Sequence, residues 1–292
     1  MLSLVEKIRK QSVVISDGAW GTFLMAKGLA PGECPELWNV THPDKVAEIA
    51  QSYKDVGTEI VKTNSFGGSI FKLKNFGLEG RCYELNKAAA AISRKVAGDK
   101  ILVLASIGPT GKFLITGEVT EEELYECFKI QAMALAEGGA DVILVETMTD
   151  MEEAKIAVKA AKENTKCEVV CTMTFDKIGD NSFATMMGVT PDQMVTGLAE
   201  AGVDALGANC GNGMEGMIEI TSQIRAVNKE IPVVIHANAG LPQYVDGKTV
   251  FPESPEMMAA NFHKLLKAGA NVIGGCCGTS PAHIQKLAEA VK

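Results

Sequence analysis

Three of the eight cysteines stand where chemistry is expected. Cys210 follows Gly-Ala-Asn and precedes Gly211, and the pair Cys276-Cys277 lies between Gly274-Gly275 and Gly278. Each follows directly on a short β-rich run. Three thiolates suit Zn²⁺ with a fourth position left open for a substrate. Glycines beside them let backbone and metal approach closely. The set is far from a local C-x₂-C pattern, so it exists only in a fold that brings two strand ends together. Cys82, Cys127, Cys167 and Cys171 sit within helical or strand patterns and read as small buried hydrophobes, as does Cys34.

A free aliphatic thiol, with a pKa near ~8.5, is mostly protonated at neutral pH. The thiolate is the reactive form, and coordination to zinc produces it outright. Three cysteine thiolates and Zn²⁺ carry a formal charge of about minus one, an electron-rich centre. A substrate sulfur in the open position should be more nucleophilic there than at a neutral zinc site. Two other readings stay open. A non-catalytic zinc barrel needs a closed site with four protein ligands. None of His42, His236, His263 and His283 is placed to complete one, and His236 reads as a packed core histidine. A zinc hydrolase is the other, but a Cys₃ set with no histidine or carboxylate suits a thiolate better than a water.

Carboxylates form the second signal. Asp17 and Glu146 each end an apolar run, VVISD and DVILVE. They read as functional groups, with structural helix-capping carboxylates as the alternative. The remaining polar motifs also follow strands: Gly18-Ala19-Trp20-Gly21-Thr22, Thr63-Asn64-Ser65-Phe66-Gly67, Gly108-Pro109-Thr110-Gly111, Asn209 and Asn238-Ala239-Gly240.

These residues need a scaffold of alternating strands and helices. Strands are predicted at 13–17, 59–63, 101–107, 141–146, 168–174, 204–208, 232–237 and 271–275. Several are continuous apolar runs, as expected for strands buried on both faces. Helix starts are marked by the capping box Thr120–Glu123 and by Thr190-Pro191, Ser254-Pro255 and Ser280-Pro281. Gly57, Gly139, Gly202 and Gly269 recur where a helix ends and an even-numbered strand begins. Eight units with this regularity predict an α/β fold, a (β/α)₈ TIM barrel in one domain over 1–292, rather than a doubly wound open sheet. Such barrels run to about 250 residues and carry their sites at the C-terminal strand ends.

Composition narrows the function. The net charge is −8, with 28 basic residues scattered among 36 acidic ones, so no basic stripe offers a nucleic-acid surface. No apolar run reaches the ~18–20 residues of a membrane span, and the first ten residues read as a short amphipathic helix rather than a signal peptide. A cytoplasmic location with reduced cysteines is expected. There is no D-x-H-x-x-G cobalamin signature and no G-x-G-x-x-G turn. Only Trp20 and Trp38 are tryptophans, which gives thin support for an aromatic cage around a quaternary ammonium group. Oligomeric state is not legible.

In order, the motifs DGAWGT, TNSFG, GPTG, VET, GANC, NAG and GGCCGTSP resemble the homocysteine S-methyltransferase family, from Asp17 to Pro281. Within it the chain is most similar to the homocysteine-binding N-terminal module of cobalamin-dependent methionine synthase. The resemblance implies Zn²⁺ on Cys210, Cys276 and Cys277, with Asn238 a displaceable fourth ligand. It implies that Asp17 and Glu146 hold the ammonium of homocysteine and that backbone N–H groups around Gly18 and Ala19 receive its carboxylate. Thr63, Asn64 and Asn209 belong to the same implied substrate site. Members using S-methylmethionine tend to carry T-A-S-Y-Q where this chain has Thr63–Gly67, and Arg where it has Gly278. The implied donor is therefore methylcobalamin on a separate corrinoid protein. S-methylmethionine or betaine as donor, or another thiol acceptor in a demethylation system, remains the alternative. Trp20 and the Ala184–Gly188 stretch depart from the family pattern and are expected to reshape the pocket.

Overall fold

Eight parallel strands form one sheet: β1 (Val14–Ile15), β2 (Ile60–Lys62), β3 (Leu102–Ile107), β4 (Val142–Met148), β5 (Glu168–Met173), β6 (Ala205–Asn209), β7 (Val233–Ala237) and β8 (Val272–Gly275). The computed structural model describes residues 2–11, 13–180, 182–245 and 247–291. Each strand pairs with its sequence neighbour, and β1 also pairs with β8. A parallel bridge between Ser16 and Ile60 closes the ring between β1 and β2. The architecture is the (β/α)₈ barrel expected from the strand count. Every predicted strand is present, with no bound shifted by more than two residues. Gly57, Gly139, Gly202 and Gly269 all adopt positive φ, as the helix-ending role requires. The hydroxyls of Thr120 and Ser254 cap helices, and at Thr190 and Ser280 the backbone N–H donates to the side chain of Gln193 or His283 three residues on.

The barrel interior is graded along its axis. Val14, Ile60, Leu104, Leu144, Val170 and Val234 lie in one apolar cluster, and Leu4 of the N-terminal helix Leu4–Lys10 joins it from below. Side chains two residues apart share a strand face. The same inward face therefore continues as Ser16, Lys62, Ser106, Glu146, Thr172 and His236, all buried. The apolar lower layers form a packed core, and the polar layer above them is the floor of the C-terminal mouth. The larger core lies between barrel and helices.

Two exposed hairpins were not expected: Asp176–Gly179 with Ser182–Ala184, and Gln243–Val245 with Lys248–Val250. They sit within the loops after β5 and β7. Their strands are short and largely solvent-facing, so they leave little burial period in the sequence. Among the described residues no helix is long and apolar enough to cross a membrane.

Candidate metal and substrate site

The ends of β6, β7 and β8 are tied together by backbone hydrogen bonds. Cys210 N–H donates to His236 O at 3.1 Å, Cys276 N–H to Ala237 O at 2.7 Å, and Ala239 N–H to Cys277 O at 3.0 Å. Cys210 turns out of β6 with φ at 60°. Among the described residues, only Thr147 shares that left-handed conformation without being glycine, at φ 62°. Both flank the site, which is where such strain concentrates. The outcome is a cluster: the Sγ atoms of Cys210, Cys276 and Cys277 all lie within 4.8 Å of one another. Hydrogen-bonding contacts with Cys276 and Cys277 lower the Cys210 thiol far below its usual range, and the contact with Cys210 pushes the other two up.

The arrangement fits a thiophilic metal. Three soft sulfurs converge, and the buried Oδ1 of Asn238 beside Cys210 has no hydrogen-bond partner. Gly278 is required here. Its φ is 80°, and a Cβ on it would stand 2.2 Å from Phe251 Cγ. That contact explains why no larger residue follows the paired cysteines.

The cysteines open into a cavity of about 330 Å³. Trp20, Met25 and Phe66 supply apolar wall, and Lys62, Ser106 and Glu146 are polar groups on its lining. Of the implied substrate residues, Ala19, Thr63, Asn64 and Glu146 line this cavity, whereas Asp17, Gly18, Asn209 and Asn238 stand behind the lining. Met186 and Met187 are not on it either, so that departure does not shape the cavity. A larger hollow of about 840 Å³ at the other end of the barrel, beside the N-terminal helix, contains none of the three cysteines.

Glu146 receives the Ser106 hydroxyl, and burial raises its pKa, opposed by the nearby Lys62 cation. Asp17 is fully enclosed. Its Oδ2 accepts from Trp20 Nε1 at 2.8 Å and from Lys62 N–H at 2.7 Å, and its Oδ1 lies 3.6 Å from Lys62 Nζ. Burial raises its pKa too, again opposed by Lys62. The Ala19 N–H already donates to Thr279 Oγ1 at 3.0 Å, so that donor is engaged. Thr63 Oγ1 accepts from Ser106 N–H at 3.0 Å, and Asn64 Nδ2 donates to Pro35 O at 2.7 Å. Both build the wall through these bonds.

Lys62, Ser106 and Glu36 are site residues that the motifs did not single out. For Lys62 the signal was present: a lysine inside the apolar run EIVKT, on the same face as Ile60. Such a residue needs a buried counter-charge. Glu36, on the cavity wall, accepts from Gly67 N–H at 2.7 Å, and no local pattern marks it.

Comparison with known proteins agrees with this geometry. The family model described as homocysteine S-methyltransferase matches residues 14–291. Methionine synthase of Mycobacterium tuberculosis is 31% identical over 97% of this chain and 25% of its own length. That of Mycobacterium leprae is 30% identical over 96% of this chain and 24% of its own. The chain thus spans about a quarter of the curated relatives it matches. Among solved structures, the metallated form of the homocysteine methyltransferase MmuM from Escherichia coli superposes with a TM-score of 0.78 at 24% identity, covering 96% of this chain and 97% of that one. Sequence and family match together place this chain in the homocysteine S-methyltransferase family, a family of S-methyltransferase enzymes.

Proposed function

We propose that this chain moves a methyl group to the thiol of homocysteine, giving methionine, with Zn²⁺ held by Cys210, Cys276 and Cys277. One observation carries the reading: three convergent Sγ atoms share a cavity with a buried carboxylate, Glu146. Thiol and ammonium are the two groups that an amino-acid thiol offers such a pair. When bound, Zn²⁺ would deprotonate the acceptor thiol by coordination and keep its sulfur nucleophilic.

The protein's own groups do the rest. Asn238, beside Cys210, would hold the metal with its unpartnered Oδ1 as a displaceable fourth ligand. Glu146, held by the Ser106 hydroxyl, receives the acceptor ammonium and aims the chain of the substrate at the cysteines. Thr63, Asn64 and Ala19 shape the wall around it, while Gly18 and Asn209 support that wall from behind. Trp20, Met25 and Phe66 keep water from the reacting atoms. The new S–CH₃ bond forms as the donor's bond to methyl breaks. A thioether would be a weaker ligand than a thiolate, which would favour release of the product.

For the donor, we propose methylcobalamin on a separate corrinoid protein. The TNSFG and GGCCG forms support that branch, as do the curated relatives, whose remaining three quarters lie outside the matched region. Turnover of the zinc-loaded protein with homocysteine and each donor in turn tests the reading. Activity with methylcobalamin, stronger when it is carried by a corrinoid protein, is expected. Rapid turnover with S-methylmethionine and none with methylcobalamin in either form would overturn it.

A further inference from the structure

The family resemblance implies two carboxylates, Asp17 and Glu146, around the acceptor's ammonium. The geometry points to a different division of labour in this chain. We infer that Lys62 is a specificity-determining residue: its ammonium satisfies Asp17 from within the barrel, so that Glu146 alone is left to receive the amine of the acceptor. This rests on the acceptor reading given above and deepens it.

Asp17 has little left to offer a ligand. Its side chain is fully buried and does not reach the cavity lining. Oδ2 already accepts from two N–H donors, the indole of Trp20 and the backbone of Lys62. Oδ1 makes no hydrogen bond and faces one cation, the Lys62 ammonium at 3.6 Å. Lys62 also donates to Gly275 O at 3.3 Å, on the strand that ends in the paired cysteines. Nζ is therefore fixed from both β1 and β8. The lysine is itself buried yet contributes to the cavity lining, which Asp17 does not. A substrate ammonium would have to displace a tethered, like-charged group to touch Asp17. Two cations competing for one buried carboxylate is a costly arrangement. Glu146, in contrast, lines the cavity and accepts the Ser106 hydroxyl, and among the described residues it makes no ion pair, although the Lys62 cation is near enough to act on it. Asp17 then acts as a positioning residue, holding the Trp20 wall and the Lys62 cation.

The test compares two ligands of the zinc-loaded protein by calorimetry: homocysteine and 4-mercaptobutanoate, which has the same thiol and carboxylate but no amine. The readout is the ratio of their dissociation constants, with zinc content and thermal unfolding recorded for each variant. Native protein prefers homocysteine. Glu146→Gln is expected to reduce that preference by about tenfold or more, the scale of a lost hydrogen bond to a charged group. Asp17→Asn is expected to shift both affinities together and leave the ratio within about threefold. A collapse of the ratio in Asp17→Asn to the level of Glu146→Gln would overturn the inference. If Asp17→Asn does not fold, Lys62→Met decides. It removes a cation repelling the amine and uncovers Asp17, so the ratio should rise. An unchanged or lowered ratio, as would follow if Lys62 served the acceptor's carboxylate, overturns it. Failure of native protein to bind either thiol would instead overturn the acceptor reading, and this inference with it.

Discussion

Asn209 grips Thr147 from both ends of its carboxamide: Oδ1 accepts from the Thr147 backbone N–H at 2.8 Å, and Nδ2 donates to the Thr147 hydroxyl at 2.7 Å. Thr147 follows Glu146 directly and sits at φ 62°. A β-branched residue rarely adopts that conformation unless its surroundings hold it there. The same Oδ1 accepts from Thr172 at 2.6 Å, and Nδ2 reaches Cys276 Sγ at 3.9 Å. One amide thus relates the residue after Glu146 to Cys276 of the sulfur cluster. Asn209→Ala should lower stability by ~1–3 kcal/mol for each polar group left buried without a partner. Adding Thr147→Gly, which removes the strained Cβ, should return roughly 1 kcal/mol. Denaturant unfolding of the single and double variants checks both values. No recovery in the double variant would mean that Asn209 does not hold strain at Thr147.

Metal content follows from the sulfur cluster. One zinc per chain is expected, and Ser at Cys210, Cys276 or Cys277 should each abolish tight binding, because two thiolates and a weak hydroxyl replace three. Cys82 and Cys127 are buried away from the cluster, and burial raises both thiols, so Ser there should leave zinc unchanged. Elemental analysis of the purified variants decides. Full zinc in Cys276→Ser would sink the assignment.

The difference between Asp17 and Lys62 shows what the sequence made legible. Strands, helix ends and the three cysteines follow from local patterns: apolar runs, capping residues, glycine at left-handed positions. Asp17 was likewise visible, as a carboxylate ending a strand. Its partner lies in another strand, and the 3.6 Å pairing exists only after β1 and β2 close the barrel. Glu36 is hidden for the same reason. Its place on the cavity wall comes from the connection between β1 and β2, which brings the short 3₁₀ helix Pro35–Leu37 against Gly67. The hairpins at Gln243–Val245 and Asp176–Gly179 escaped because exposed short strands carry no hydrophobic period.

Glu36 gives a pH test outside the cysteine cluster. Burial raises its pKa above the ordinary 4.5, against the lowering effect of its hydrogen bonds. For a raised acid, the folded protein binds more protons than the unfolded chain. Its contribution to stability is therefore complete below the unfolded value and is lost as pH rises through the folded one. Glu36→Gln cannot ionise, and its side-chain oxygen still accepts from Gly67. Unfolding midpoints measured between about pH 5 and about pH 8 should fall less steeply in the variant than in native protein. Parallel curves would show that Glu36 is not held in this way.

The donor partner makes the last prediction. Large apolar side chains stand exposed in the loops around the barrel mouth: Ile115 after β3 at 83%, Met186 after β5 at 68% and Tyr244 after β7 at 79%. They lie outside the cavity that would take the acceptor, so acceptor binding does not account for them. A carrier delivering methyl to the cysteine cluster must cover this rim, and burying such side chains favours association by about 25 cal/mol per Å². Free methylcobalamin needs only the opening and lacks the carrier's positioning, so it should react slowly in every variant. Ile115→Lys combined with Met186→Lys should change stability by less than about 0.5 kcal/mol, as surface changes do. It should lower kcat/KM about tenfold with the methylated cobalamin-binding module of a methionine synthase, the scale of a lost interface anchor. Turnover with free methylcobalamin should be unaltered. Equal losses with both donors would place the two side chains in the chemistry of the pocket, and no loss with either would remove the rim as the carrier's landing surface.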